Sequence, residues 1–274
     1  MTPADTEALA RELADAYANR RLVAVPPSAR DIGFDLTAAY DVEARLMLWR
    51  RASGHAPVGR KVGFANKAMW RVLELDTLVW ANMYDDTVHY VTGGAASLPV
   101  GRLFSAKIEP EIVFKLRRPP MPGADPSTVL DAVDWMALGF EIIECVFPNW
   151  KFQPADLVAA YGLHAALIVG EPRSVRPEII AALVDQLGSF TVSLLKNGHV
   201  AAEGSGRNAL RSPARCLGEL ASAIARHPTA EPLAAGELIS SGTLAEAQPI
   251  AAGETWTAIV TGLELPAVTV HTLA

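Results

Sequence analysis

What the chain lacks narrows it first. It has two cysteines in 274 residues. Cys145 and Cys216 are too few and too isolated for a disulfide framework or a zinc motif. No apolar run reaches membrane-spanning length. There is no excess of positive charge: the formal net charge is −6 and the pI is near 5.5. General affinity for nucleic acid, which relies on basic patches, is therefore not expected. The opening residues, Met1-Thr2-Pro3-Ala4-Asp5, lack the basic-then-apolar pattern of a secretory signal. Disorder is also excluded, because 50% of the residues are hydrophobic. These absences lead to an expectation of a soluble chain in a reducing compartment, the cytoplasm by default. The length suits one large domain or a small domain attached to a larger one.

The stretch around which the rest is organised is Ala106–Phe114, which reads as a strand. Side chains alternate faces in a strand, so Ile108, Pro110, Ile112 and Phe114 share one face and Glu109 and Glu111 the other. Two carboxylates so close resist ionising together. A hard divalent cation between them would relieve that, and a solvated strand face would leave them apart in water. Both readings fit these residues alone. Pro110 lacks an N–H, which implies an edge or an interrupted ladder.

Upstream, Thr2-Pro3-Ala4-Asp5 reads as the start of a helix running to about Arg20. A second helix is expected from about Leu36 to Ala52, stopped near Gly54. Gly59–Phe64 reads as a short strand, with Asn66 as the cap of a helix through about Leu75. Lys61 in that strand is either a surface charge or a charge partner for an acid. Leu78–Asp86, apolar and aromatic and then acidic, reads equally as a pocket lining or a loop. A boundary near residue 95 divides a smaller N-terminal α-rich region, 1–95, from a larger domain, 96–274.

Downstream, a helix is expected over Ser127–Met136 and a buried strand over Ala137–Phe147. Buried acids need partners. Glu141 and Glu144 have opposite parity, so only one of them can join Glu109 and Glu111. His164 lies at a helix-to-strand junction, as a structural residue or one projecting into a cleft. Asn197-Gly198 is a hairpin signal. Gly204–Arg207 is not a nucleotide fingerprint, because no strand–GxGxxG–helix context surrounds it. Ser212-Pro213 opens a helix through about Arg226. Glu237–Leu244 is a strand ending in small hydroxyl residues, suited to close approach to a carboxylate or to a plain turn. Irregular mixing of strands and helices favours α+β over a doubly wound sheet.

Several of these blocks occur in a familiar order: Gly59-Arg60-Lys61-Val62-Gly63, Ile108-Glu109-Pro110-Glu111-Ile112, Gly139-Phe140-Glu141-Ile142, Asn149-Trp150-Lys151, and Ile239–Leu244 continuing into Pro249–Thr255. From about Gly59 to the C-terminus the chain resembles the hydratase/decarboxylase family, 2-keto-4-pentenoate hydratase-like, of the fumarylacetoacetate hydrolase superfamily. The resemblance implies a mixed β-roll core with a smaller N-terminal region. It also implies a Mg2+ or Mn2+ site on Glu109, Glu111 and Glu141, in preference to Glu144, and an active-site lysine at Lys61. Two positions depart from the pattern. Val79 stands where these hydratases usually carry an aspartate, and Leu163, followed by His164, stands where they usually carry a serine. His164, Asp85 or Asp86 are the replacements the sequence offers.

On that resemblance the expected reaction is water addition to a 2-hydroxydienoate or 2-oxoalkenoate. The cation acts as a Lewis acid toward the C1 carboxylate and C2 oxygen. Lys61 neutralises charge or carries a proton, as His164 or Asp85 would if they replace the missing groups. Ser240, Ser241, Gly242 and Thr243 are expected to hold the substrate carboxylate, and Phe64 and Trp80 to wall its tail. Decarboxylation of a related oxo-diacid, carbon–carbon hydrolysis and a binding-only paralogue are the other readings. The expected partner is a small 2-oxo acid, and the expected assembly a homo-oligomer.

Overall fold

The computed structural model describes residues 1–30 and 33–274. The strands are β1 (Pro57–Gly63), β2 (Val79–Tyr84), β3 (Val88–Tyr90), β4 (Ala95–Pro99), β5 (Lys107–Leu116), β6 (Val133–Ile143), β7 (His164–Val169), β8 (Arg173–Ser174), β9 (Thr191–Lys196), β10 (His199–Ser205), β11 (Leu238–Ser240), β12 (Gln248–Pro249), β13 (Thr255–Thr261) and β14 (Val268–Leu273). The helices are α1 (Pro3–Ala18), α2 (Leu36–Ala52), α3 (Lys67–Trp70), α4 (Pro126–Asp131), α5 (Pro154–Ala159), α6 (Pro177–Ser189) and α7 (Pro213–Arg226). The larger sheet runs β2-β1-β11-β5-β6-β7-β3, with β12 on β5 and β8 on β6. The smaller runs β10-β9-β13-β14-β4. Both are mixed, so the α+β expectation holds. Among the described residues no helix is long and apolar enough to cross a membrane.

Local chemistry explains most element ends. Thr2 and Asp5 form a reciprocal capping box on α1. Asp35 caps α2 by accepting from the Ala38 N–H, and Asn66 caps α3 from the Ala68 N–H. Asn197 and Gly198 both have positive φ (49° and 82°), as the tight β9–β10 hairpin requires. α4 is shorter than expected. Strand β6 begins at Val133 because Val133–Ile143 is paired along β5 and buried from Met136 onward.

The division expected at residue 95 does not separate the sheets. β1, β2 and β3 lie in the same sheet as β5, β6, β7 and β11. Leu9, Leu13, Val42 and Leu46 of α1 and α2 belong to the same apolar core as Ile108, Phe140 and Leu220. Apolar surface on one layer must be covered by another, and the N-terminal helices supply that cover.

Pro110 falls where the ladder is interrupted. β11 pairs with β5 at Val113–Lys115 and β12 at Lys107–Ile108, leaving a gap between them. The Pro110 carbonyl accepts the Leu244 N–H at 2.9 Å. A residue's N–H and C=O point to the same side of a strand, so the missing N–H faces the gap, where no strand asks for it.

Candidate metal centre

Four adjacent strands set the positions. In register, Lys61 of β1 lies beside Ser240 of β11, and Ser240 beside Val113 of β5. Two residues back along β5, Glu111 lies opposite Gly139 of β6, and Glu109 opposite Glu141. The parity that puts Glu109 and Glu111 on one face thus brings a third acid across from them. Glu144, of the other parity, accepts from Arg20 (2.8 Å) and from the Phe104 N–H (2.9 Å). It is a structural ion pair and not part of the cluster.

One carboxylate oxygen from each of Glu109, Glu111 and Glu141 lies within 4.8 Å of the others. Glu111 and Glu141 are fully buried, and Glu109 is partly exposed. The buried pair share a pattern. Glu111 Oε2 accepts from Ser240 Oγ (2.5 Å) and the Gly242 N–H (2.8 Å). Glu141 Oε1 accepts from Lys61 Nζ (3.0 Å) and faces His164 Nδ1 (2.9 Å). Their second oxygens, Glu111 Oε1 and Glu141 Oε2, are buried without a hydrogen-bond partner among the described residues. A buried acceptor left unpaired is costly, and three oxygen donors at this spacing suit a hard divalent cation. The residues present fit such an ion.

The electrostatics agree. Burial, with Glu141 close by, pushes the Glu109 carboxyl up to about 7. Burial and the neighbouring Glu141 and Glu109 push Glu111 well above the usual carboxylate range. Burial acts upward on Glu141 too, but the Lys61 ammonium and His164 outweigh it and hold that carboxyl low. Burial alone would lower Lys61, but the three carboxylates outweigh it and raise it. In the metal-free protein Lys61 is therefore a firmly held cation.

A cavity of about 260 Å³ opens above the cluster. Lys61 and Glu109 are at its polar end, and Phe64, Trp150, Phe152, Leu157 and Leu163 form much of its wall. It meets a larger groove of about 910 Å³ at Ala65, Asn66 and Asn208, lined by four cations (Lys67, Arg207, Arg211 and Arg215) and two acids (Asp125 and Glu219).

Several expected site residues sit elsewhere. Trp80 packs on Tyr40, with ring centroids 4.8 Å apart, and lines other cavities, because β2 turns it away from the Lys61 side. Asp85 is exposed in the turn after β2, beside His55 and Asp86, and does not line the site cavity. His164 touches Glu141 but lines a separate cavity behind it. Ser240 and Gly242 hold Glu111, and the Thr243 hydroxyl donates to the Ala245 carbonyl at 2.6 Å. Of that group, Gly242 and Thr243 line the cavity, and the buried Ser241 hydroxyl has no partner among the described residues. Phe64 lines the cavity. Trp150 and Phe152 were within or beside a family block, but nothing in their spacing assigned them to the wall. The Gly162 carbonyl, which accepts from Lys61 Nζ at 3.0 Å, and Thr87, 3.1 Å from His164 Nε2, carried no sequence signal.

No family model matches the chain. The 2-hydroxyhexa-2,4-dienoate hydratase of Comamonas testosteroni is 28% identical over 226 residues, 82% of each chain. The 4-oxalocrotonate decarboxylase of Pseudomonas putida G7, solved with magnesium and adipate, superposes with a TM-score of 0.88 at 26% identity, over 100% of this chain and 99% of that one. Over most of its length the chain is thus similar to both hydratases and decarboxylases that share this fold. A similar fold is found in the fumarylpyruvate hydrolase of Pseudomonas aeruginosa, with a TM-score of 0.57 at 16% identity over 78% of this chain and 88% of that one. At the position where the resemblance expects an aspartate, this chain has Val79, 1% exposed, packed where a Cβ on Gly63 would meet it at 3.0 Å. Neither Val79 nor Leu163 has a titratable side chain.

Proposed function

We propose that this chain is a divalent-metal-dependent hydro-lyase that adds water to a 2-hydroxydienoate or 2-oxoalkenoate acid. The observation that carries the reading is the pair of buried, unpartnered oxygens on Glu111 and Glu141 beside Glu109, at the polar end of a largely apolar cavity. The donor set suits Mg2+ or Mn2+. When bound, the cation supplies Lewis acidity toward the oxygens of a 2-oxo acid.

The chain's own residues supply the rest. Glu109, Glu111 and Glu141 hold the cation. An ammonium has three donors; Lys61 spends one on Glu141 and one on the Gly162 carbonyl. Its third is free for the cavity that Lys61 lines, where it neutralises developing charge or hands over a proton. Phe64, Trp150, Phe152, Leu157 and Leu163 keep the unsaturated tail out of bulk water. Gly242 and Thr243 edge the cavity near the substrate carboxylate, and the cations of the adjoining groove favour approach of an acid. His164 and Asp85 have no such access.

Decarboxylation of an oxo-diacid is the second reading, favoured by the likeness to the decarboxylase and by the basic groove. Assays with Mg2+ over a panel of 2-hydroxydienoates and oxo-diacids separate the two. Loss of the diene absorbance with a product heavier by one water supports the hydratase; CO2 release without water uptake would overturn it. A Glu109→Ala variant is expected to lose both Mg2+-dependent oxalate binding and turnover. If it keeps them, the cluster is not the site. With this reading goes a cytoplasmic homo-oligomer, its assembly checked by light scattering.

A further inference from the structure

His164 contacts Glu141 but does not line the substrate cavity. Its ring lines a second cavity of about 430 Å³, walled by Tyr17 and Arg20 near the end of α1 and by Tyr84, Glu144 and Tyr161. The His164 side chain is 2% exposed, and the Glu141 side chain is fully buried. The ring is tied at both nitrogens, Nδ1 to Glu141 Oε1 at 2.9 Å and Nε2 to Thr87 Oγ1 at 3.1 Å. An ionised carboxylate only accepts, so Nδ1 carries a proton in either charge state of the ring.

The segment leading into His164 is built to aim it. Tyr161, Gly162 and Leu163 all have positive φ (54°, 66° and 56°). A Cβ on Gly162 would meet Ala81 Cβ at 2.6 Å and Lys61 Cδ at 2.7 Å. This left-handed run turns the Gly162 carbonyl onto Lys61 Nζ and the His164 ring onto Glu141. Backbone strain of this kind persists only where the surroundings enforce it. Here the Glu144 N–H donates to the Leu163 carbonyl at 2.9 Å, and the Leu167 N–H to the Thr87 carbonyl at 2.8 Å.

We infer that His164 is a positioning residue that turns Glu141, through the Nδ1 hydrogen bond, so that Oε1 is occupied and Oε2 is left for the cation. It does not touch substrate. The inference rests on the metal reading above and assigns to this chain an imidazole behind a carboxylate ligand, approached from its own cavity. Such outer partners tune metal affinity by about 10–100-fold.

The test is Mn2+ binding to the full chain, followed by electron paramagnetic resonance, alongside its Tm without metal. His164→Ala is expected to weaken Mn2+ binding about 10–100-fold. His164→Asn, whose amide nitrogen is as many bonds from the backbone as Nδ1, is expected to recover most of the loss. Free imidazole, entering the second cavity of the Ala variant, is expected to recover part. Unchanged Mn2+ affinity in His164→Ala overturns the proposal, with or without loss of turnover. So does a weakening that neither Asn nor imidazole relieves, because lost packing alone explains that. Thr87→Val, which keeps the ring but frees Nε2, is the second variant should His164→Ala not fold. It is expected to weaken binding several-fold, and unchanged affinity in it also overturns the proposal. If the wild-type chain binds no Mn2+, the metal reading itself falls. If the wild type binds and the variants bind equally, only the role of His164 falls.

Discussion

Glu111 and Glu141 reach the same state through different partners. One is held by a hydroxyl and a backbone N–H, the other by an ammonium and an imidazole. Each keeps one oxygen satisfied and one bare. Lys61 is the principal compensating charge, since its ammonium lies 3.0 Å from Glu141 and all three carboxylates raise its pKa. Removing one member of a buried pair leaves the other uncompensated, at a cost of about 3–5 kcal/mol. Lys61→Met is therefore expected to destabilise the metal-free protein by about that much, with Mg2+ restoring part of it. Urea unfolding in EDTA and in Mg2+ measures both, and an unchanged midpoint in EDTA would show that Lys61 does not carry the charge balance.

At the scale of elements, the left-handed run before β7 matters most. Gly162→Ala adds a Cβ against Ala81 and Lys61 at a φ of 66°. It is expected to cost at least about 1 kcal/mol from the backbone alone and to lower turnover by displacing Lys61. Gly198→Ala in the β9–β10 hairpin, at a φ of 82° with nothing within 4 Å, is the contrast. It is expected to cost about 1 kcal/mol and to leave Mg2+ affinity unchanged. Equal loss of metal binding in the two variants would mean that both act through general unfolding. The elements themselves were largely legible. α2 and α7 match their expected limits, because Asp35, Ser212 and Pro213 mark the starts and the apolar spacing marks the bodies. α4 was overextended, because Val133–Met136 reads apolar in either structure and only pairing with β5 makes it strand.

For the whole molecule, the buried acids make stability depend on pH and metal together. Glu109, pushed up to about 7 from 4.5, keeps its proton in the folded state where the unfolded chain has lost it. Glu43, raised by burial, has the same sign. Between pH 4.5 and 7 the unfolded state binds fewer protons, so the metal-free protein is expected to lose stability as pH rises. The metal displaces those protons, so its stabilisation grows over the same window. At 100-fold excess over Kd it is worth about 2.7 kcal/mol, or several degrees in Tm. Tm measured in EDTA and in Mg2+ from pH 5 to 8 tests this, and curves that stay parallel would exclude Glu109 from the ligands.

The chain order alone placed Glu109 and Glu111 on one face, because strand parity is a local property of the backbone. Motif resemblance added Glu141 and Lys61. Long-range contacts decided the rest. Register put Glu141 across from Glu109, and the pairing of β1 with β11 set Lys61 beside Ser240. The turn that ends in Leu163 faced His164 away from the cavity. The packing of α2 took Trp80 for the core, through Tyr40, and one sheet took in strands from both sides of residue 95. Parity and capping act over a few residues and can be read along the chain. Which side of a carboxylate a histidine occupies depends on strands far apart in sequence, and only the closed fold brings them together.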